Sequence, residues 1–369
     1  MKLSSRQAGI ILFLTVIALK AVTLPAIIFF FAGKGGYISV LISLVLDFLL
    51  LLIYLWVMKQ NPNSTFVDIM SSVFCKTFAK IVMFVLFIYF LIKTFLMMKS
   101  TFNFFTKVIY DELNWIFYLI STLFFMYFAL HKSFKIYGRV GEIIFWVVFI
   151  SINIVLLITS FTMDLTNLLP LFNNGIEPIA STGVRCAYIF GDYTGIIVMM
   201  GNINYTNQTS TKIIGYAFLA MNTVINIFIV FLCNFGYTTV NQSLAISDLS
   251  LYIDLAVSVS RLEWFGVFAW TITLVTQLVI YAHCTKFSLE ALLPKKLVKI
   301  SHHIVLIPLA IAFCFSTLSL HVLINNFLTY PWGIAAIIVQ AGIPILLLIA
   351  STVQQRRLKN NVRIPSKIS

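Results

Sequence analysis

Long apolar runs, separated by short polar connections, fill the chain from Gly9 to Ser351. A helix needs about 20 apolar residues to cross a bilayer. Runs of that order recur at Gly9–Phe31, Tyr37–Met58, Ile81–Ser100, Trp115–Leu130, Glu142–Met163, Pro178–Ile203, Ile213–Phe235, Leu262–Thr285, His303–His321 and Pro331–Ser351. The pattern predicts an all-α integral membrane protein: about ten transmembrane helices in a single polytopic domain, with 352–369 as a basic tail. Lys2 and Arg6 ahead of the first run resemble the start of a signal peptide. That run is too long, carries Lys20 and lacks a small-residue cleavage site, so it reads as a retained first span.

Four charges lie deep within apolar runs. Lys20 lies at the centre of the first run, five residues before Pro25. A lysine there costs several kcal/mol in hydrocarbon and must face protein or water, and a proline in the same span removes a backbone hydrogen bond. Asp192 lies near the centre of the sixth run, within Phe190-Gly191-Asp192-Tyr193-Thr194-Gly195, where two glycines permit unwound backbone. Free N–H and C=O groups at such a break suit a zwitterionic ligand. If these two spans are neighbours, Lys20 and Asp192 offset each other's desolvation cost. Asp47 and Lys93, deep in the second and third runs, are candidates for proton or ion coupling together with Lys20; structural hydrogen bonding is the alternative for Asp47. The candidate ligand-binding set is Lys20, Ala21, Thr23, Tyr188, Phe190, Gly191, Asp192, Tyr193, Gly195 and Thr273. Thr273, like Thr271 and Thr276, can instead bond the preceding turn of its own helix.

Composition agrees with a membrane protein: only 10% of residues are charged, against about 25% in soluble domains. A net charge of +13 raises the question of nucleic acid. The basic residues, however, sit in short loops rather than in one polar domain, which excludes that reading. Of the 25 Lys and Arg, eighteen fall on one side if both termini are cytoplasmic, and only Lys34, Lys99, Lys107 and Arg261 fall on the other. The five cysteines are scattered without metal-ligand spacing. No phosphate loop, H-E-x-x-H or G-x-S-x-G turn is present, so the chain reads as a non-enzyme without catalytic residues, metal or cofactor.

The connections carry a weak internal symmetry. In each half the second and third spans are separated by the longest polar connection, Lys59–Lys80 and Gly236–Arg261, and the first span of each half is interrupted. Five spans per half give the halves opposite orientation. The expected plan is therefore an inverted repeat, about 9–163 and 178–351, with breaks in spans one and six.

Several short segments, in order and at matching spacing, make the chain resemble the B-subunit family of spore germinant receptors, within the amino acid–polyamine–organocation transporter superfamily. They are Leu24-Pro25, Leu168-Leu169-Pro170-Leu171-Phe172-Asn173-Asn174-Gly175, Phe190-Gly191-Asp192 (Phe-Gly-Glu in the family) and Arg261-Leu262-Glu263. The resemblance covers nearly the whole chain. It implies a LeuT-like fold of five plus five helices, with a ligand site between spans one, three, six and eight. It further implies an amino acid germinant, and a receptor A subunit and a lipoprotein C subunit as partners in the inner spore membrane. Two features depart from the family: Ala18-Leu19-Lys20-Ala21-Val22-Thr23 replaces a Gly-x-Gly-like break, and Asp192 replaces a longer Glu. Lys20 could then take the place of a cation. Two functions are compatible with this plan: a germinant receptor that binds without transport, and a proton-coupled amino acid permease.

Overall fold

The computed structural model describes residues 2–170, 175–242, 244–252, 262–318 and 331–362. Among these the structure is helical, with no strand and one isolated backbone bridge. α1 (Ser5–Val22) starts at a capping box in which Ser4 and Gln7 each bond the other's backbone N–H; this satisfies two of the groups that a helix start leaves unpaired. α1 stops one residue short of α2 (Leu24–Ala32), which carries Pro25 in its first turn. Proline has no N–H to donate to the turn before it, so the run breaks here. The chain reverses at Gly33, where φ is 62°, and returns as α3 (Gly36–Gln60). Gly36 permits that reversal, since a Cβ there would lie 2.5 Å from Ile28 Cγ2.

α4 (Phe66–Val73) is a short helix opened by a Thr65–Asp68 capping box. α5 (Lys76–Phe104) runs into a π-turn over Phe105–Ile109. α6 (Trp115–Leu130) and α7 (Phe134–Ser160) complete the first half. The sixth span is α8 (Ile176–Arg185), a 3₁₀ turn over Ala187–Ile189, a second over Asp192–Gly195, and α9 (Ile196–Met199). It is followed by α10 (Thr209–Phe235), the short α11 (Ala245–Tyr252), α12 (Leu262–Glu290), α13 (Ser301–Leu318) and α14 (Pro331–Val362).

Eight helical segments among the described residues are long and apolar enough to cross a membrane, from Ser5–Val22 to Pro331–Arg357. Two shorter apolar segments, Trp115–Leu130 and Ala187–Met199, stand where the fourth and sixth of the expected ten spans fall. The chain is thus an integral membrane protein. Its outward faces are apolar, as lipid contact requires: Leu46, Phe117 and Ile143 are all largely exposed. α14 runs past the expected end of the tenth span as far as Val362, so Arg356 and Arg357 are helical. Residues 363–369, the end of the ninth run at 319–321, Arg261 and positions 171–174 of the Leu168–Gly175 motif lie outside the described residues.

α1 is central. Every one of its residues except Arg6 is buried, as expected of a helix that is packed on all sides. It packs on α7, α10 and α12, while α12 also packs along α5. Leu3 N–H donates to the Asn202 carbonyl at 2.7 Å, and Asn204 N–H donates to the Leu3 carbonyl at 2.8 Å. The start of α1 is therefore fastened to the exit of the sixth span. The two broken spans lie side by side and run in opposite directions.

Candidate functional site

The break in the sixth span occupies two residues. Phe190 is extended and Gly191 is left-handed, with φ of 77°. The Phe190 N–H closes the first 3₁₀ turn at Ala187 and the Gly191 carbonyl opens the second to Thr194, which leaves the Phe190 carbonyl and the Gly191 N–H in the middle of an apolar bundle. Buried backbone groups must find partners, and here side chains from neighbouring helices supply them. Asp47 of α3 accepts the Gly191 N–H at 2.8 Å. Lys93 of α5 donates to the Phe190 carbonyl at 2.6 Å. Gln340 of α14 sits 3.0 Å from the carbonyls of Ala187 and Phe190 and from the Tyr89 hydroxyl; its two amide hydrogens serve two of these three at a time. The Tyr89 hydroxyl reaches toward the Gly191 carbonyl at 3.5 Å.

Asp192 follows the break directly and is the focus of the site. Its Oδ2 accepts from Lys20 of α1. Its Oδ1 accepts from Lys93 at 2.9 Å and from the Tyr281 hydroxyl of α12. The Lys20 ammonium also lies over the Phe190 ring, 5.1 Å from its centre, and Lys93 lies over the rings of Tyr89 and Tyr281. Lys20, Asp192, Lys93 and Asp47 are 1%, 2%, 3% and 5% exposed. Two carboxylates and two lysines thus share one buried region. Lys20 and Lys93 both pair with Asp192, and Asp47 is held by the Gly191 N–H; buried charges are tolerated when pairing and hydrogen bonds offset their desolvation. The pairing of Lys20 with Asp192 expected from the sequence is present, with Lys93 as a third member.

The other expected residues lie at several places around this centre. Phe190 and Gly191 form the break itself. Ala21 and Thr23 flank the α1–α2 junction, where the Thr23 hydroxyl donates back to the Leu19 carbonyl at 3.3 Å. Gly195 closes the second 3₁₀ turn beside Cys284. Tyr193 points away from Asp192, its hydroxyl donating to the Ala217 carbonyl of α10 at 3.3 Å. Tyr188 is half-buried in the first 3₁₀ turn. Thr273 donates to the Ala269 carbonyl of its own helix at 2.7 Å, and Thr271 and Thr276 do likewise. The donor hydrogens of these three hydroxyls are spent within α12.

Four residues of the site carry no strong signal in the sequence: Tyr89, Gln277, Tyr281 and Gln340. Gln277 is the least expected. Its amide nitrogen donates to the Thr15 carbonyl at 2.7 Å, and its Oε1 accepts from the Leu19 N–H at 3.1 Å. Those are the two groups that an unbroken α-helix pairs with each other. The amide thus bonds both groups of α1 in the turn that leads to Lys20. Its nitrogen also lies 2.9 Å from the Tyr281 hydroxyl. Gln277 and Tyr281, four residues apart on one face of α12, therefore link the α1 backbone to Asp192.

Residues 2–321 match the family described as spore germination protein. Among curated proteins the chain is similar to Spore germination protein KB of Bacillus subtilis (strain 168), with 24% identity over 204 residues. That match covers 53% of this chain and 52% of the relative, about half of each.

Proposed function

This chain belongs to the spore germination protein family, and we propose that within it the chain is the permease-like B subunit of a spore germinant receptor. It binds a small germinant, an amino acid, at the paired breaks and thereby triggers germination, working with an A subunit and a lipoprotein C subunit in the inner spore membrane, with both termini cytoplasmic. The observation that carries this reading is the convergence of α1, α5 and α12 on one carboxylate beside unwound backbone. A zwitterion placed between Lys20 and Asp192 keeps every charge paired: its ammonium takes the place of Lys20 at Asp192, and its carboxylate takes the place of Asp192 at Lys20. Binding then exchanges one set of ion pairs for another and parts α1 from the sixth span.

A LeuT-like five-plus-five inverted repeat is the architecture that fits this reading. The antiparallel broken spans support it, as does the recurrence of a short helix, α4 or α11, in the long connection of each half. A proton-coupled amino acid permease is the second reading. Asp47 favours it, because a carboxylate that holds the Gly191 N–H would couple its own protonation to the break.

Proteoliposomes holding the purified chain, given labelled amino acids, test both. Saturation at or below one ligand per chain, lost in Asp192→Asn, is the outcome expected of a receptor subunit. Accumulation far above one per chain under a proton gradient would make the chain a permease. Binding unaffected by Asp192→Asn would remove the site.

A further inference from the structure

Three of the chain's five histidines meet where α6 ends and α13 begins, at a corner that the proposed function does not use. The rings of His131 and His302 have their centres 4.2 Å apart, and those of His302 and His303 lie 4.1 Å apart. Tyr127, one turn before His131 on α6, lies against all three, with its ring centre 4.5 Å from His131, 5.4 Å from His302 and 5.7 Å from His303. His302 is 7% exposed, while His131 and His303 stand at the surface. His131 Nδ1 donates to the Tyr127 carbonyl at 2.8 Å, which leaves its Nε2 as the position for a further proton.

The surroundings are basic. Among the described residues none of the three histidines makes an ion pair. Lys132 follows His131, and Lys299 stands in the 3₁₀ turn ahead of α13. α12 packs on both helices and brings Lys286, whose ammonium bonds the Leu130 carbonyl, and Glu290, which accepts from Ser301 at 2.8 Å and lies 3.7 Å from Lys286. The start of α5, which packs on α13, brings exposed Lys76 and Lys80. Among the described residues of these elements, one carboxylate, already bonded twice, is all that the corner offers to a protonated imidazole. We infer that the three histidines form a proton-operated joint between α6 and α13: neutral, they stack and hold the two helices together; protonated, they part them. Like charges about 4 Å apart repel strongly in surroundings of low dielectric, and a buried imidazolium without an anion is driven toward water. The closed joint binds fewer protons than the open one. It is therefore held above the ordinary histidine value of about 6.5 and released as the pH falls below it. α12 is tied to both partners of the joint, through Lys286 and Glu290, and it carries Tyr281, which holds Asp192.

Spin labels at Ser133→Cys and Ile300→Cys, exposed positions two residues from the histidines, read the joint directly, with Cys75→Ser and Cys314→Ser removing the accessible native thiols. In nanodiscs, with no germinant present, the separation should lengthen by about 2 Å or more, the scale of helix shifts at bistable contacts, as the pH falls from about 7.5 to about 5 across the histidine range. His302→Gln should keep the short separation at both ends of that range. His131→Gln/His303→Gln, changed only at the surface, should give about half of the lengthening or less. A constant separation in the chain carrying only the labels, or undiminished lengthening in His302→Gln, would overturn the inference; general acid unfolding would show itself in the second way. Where His302→Gln does not adopt the short separation at the upper pH, the surface double variant decides, and undiminished lengthening there overturns the joint.

Discussion

Between Thr15 and Ile27 the first broken span keeps helical bonds on both sides of its junction: Thr23 N–H donates to Leu19 at 3.1 Å and Ile27 N–H to Thr23 at 3.3 Å. Between Arg185 and Ile196 the sixth span instead commits Phe190 and Gly191 to backbone that no helix can absorb. The means of support differ accordingly. In α1 a single side chain, Gln277, separates two groups that are each other's natural partners. If it withdraws, Thr15 and Leu19 can bond directly, so main-chain hydrogen bonds are available in two states. In the sixth span the exposed groups have no local partner and depend on Asp47, Lys93 and Gln340 from three other helices. The comparison leaves α1 with a main-chain alternative where Gln277 bonds it, and the sixth span with none at Phe190 and Gly191.

The largest test of the sixth span is Asp192→Ala. It strands two buried ammonium groups, and breaking a buried pair costs roughly 3–5 kcal/mol. Denaturant titration of the purified chain should show a loss of that order, against a clearly smaller one for Lys20→Ala, which leaves Asp192 with Lys93 and Tyr281. The pair suggested by the sequence would make Lys20→Ala/Asp192→Ala milder than Lys20→Ala. With Lys93 present the double variant leaves a buried lysine without its carboxylate, and should be the worse of the two.

Next in size is Gly191→Ala. An alanine there adopts a φ of 77°, and its Cβ would lie 2.2 Å from Gln340 Cδ; strain and overlap together amount to about 2–3 kcal/mol. Gln340→Ala on top of it should recover the overlap but not the strain, so incomplete recovery in unfolding experiments is the expected result. Gln277→Leu should cost much less, about 1 kcal/mol or below, because the two groups it frees can bond each other. Hydrogen exchange at Leu19 should slow as its N–H bonds Thr15 directly. A cost matching that of Gly191→Ala would mean α1 has no second state, and the contrast between the breaks would fail.

The smallest effect lies in the connection leading to the sixth span. The carboxylate of exposed Asp164 accepts from the Thr166 hydroxyl at 2.7 Å and its N–H at 2.9 Å, and these bonds hold its pKa below the usual 3.8. A depressed pKa contributes stability above the unfolded value and loses it as pH falls through the folded one. Asp164→Asn should therefore cost a little stability at neutral pH, and the difference between the two proteins should shrink as the pH falls below about 4.

The charges of the site were legible because hydrocarbon makes every one of them an exception. Lys20, Asp47, Lys93 and Asp192 stand out from apolar runs by that rule alone, and all four meet at one break. Gly191 was legible beside Asp192 for the same reason that the backbone needs it. Tyr89, Tyr281, Gln277 and Gln340 were not, since uncharged polar residues in a span commonly bond their own helix, as Thr273 does. What distinguishes Gln277 from Thr273 is the neighbour it faces, and that depends on how α12 is rotated against α1. Span lengths were equally indirect. Apolar runs marked the bilayer-crossing parts, but the helices continue beyond them, as α12 does to Glu290 and α14 to Val362.

The fastening between Leu3 and Asn202–Asn204 is made entirely of main-chain atoms. It is therefore blind to amino-acid identity. Substitutions at Leu3 or Asn204 leave both bonds available, with the exception of proline, which has no N–H to give. The buried Leu3 side chain answers to packing, but the tie answers only to the presence of an N–H, so a single pyrrolidine ring at either position removes one of its two bonds. A tie made of main-chain atoms leaves little trace in the letters of the chain, although it joins the start of the first broken span to the exit of the sixth.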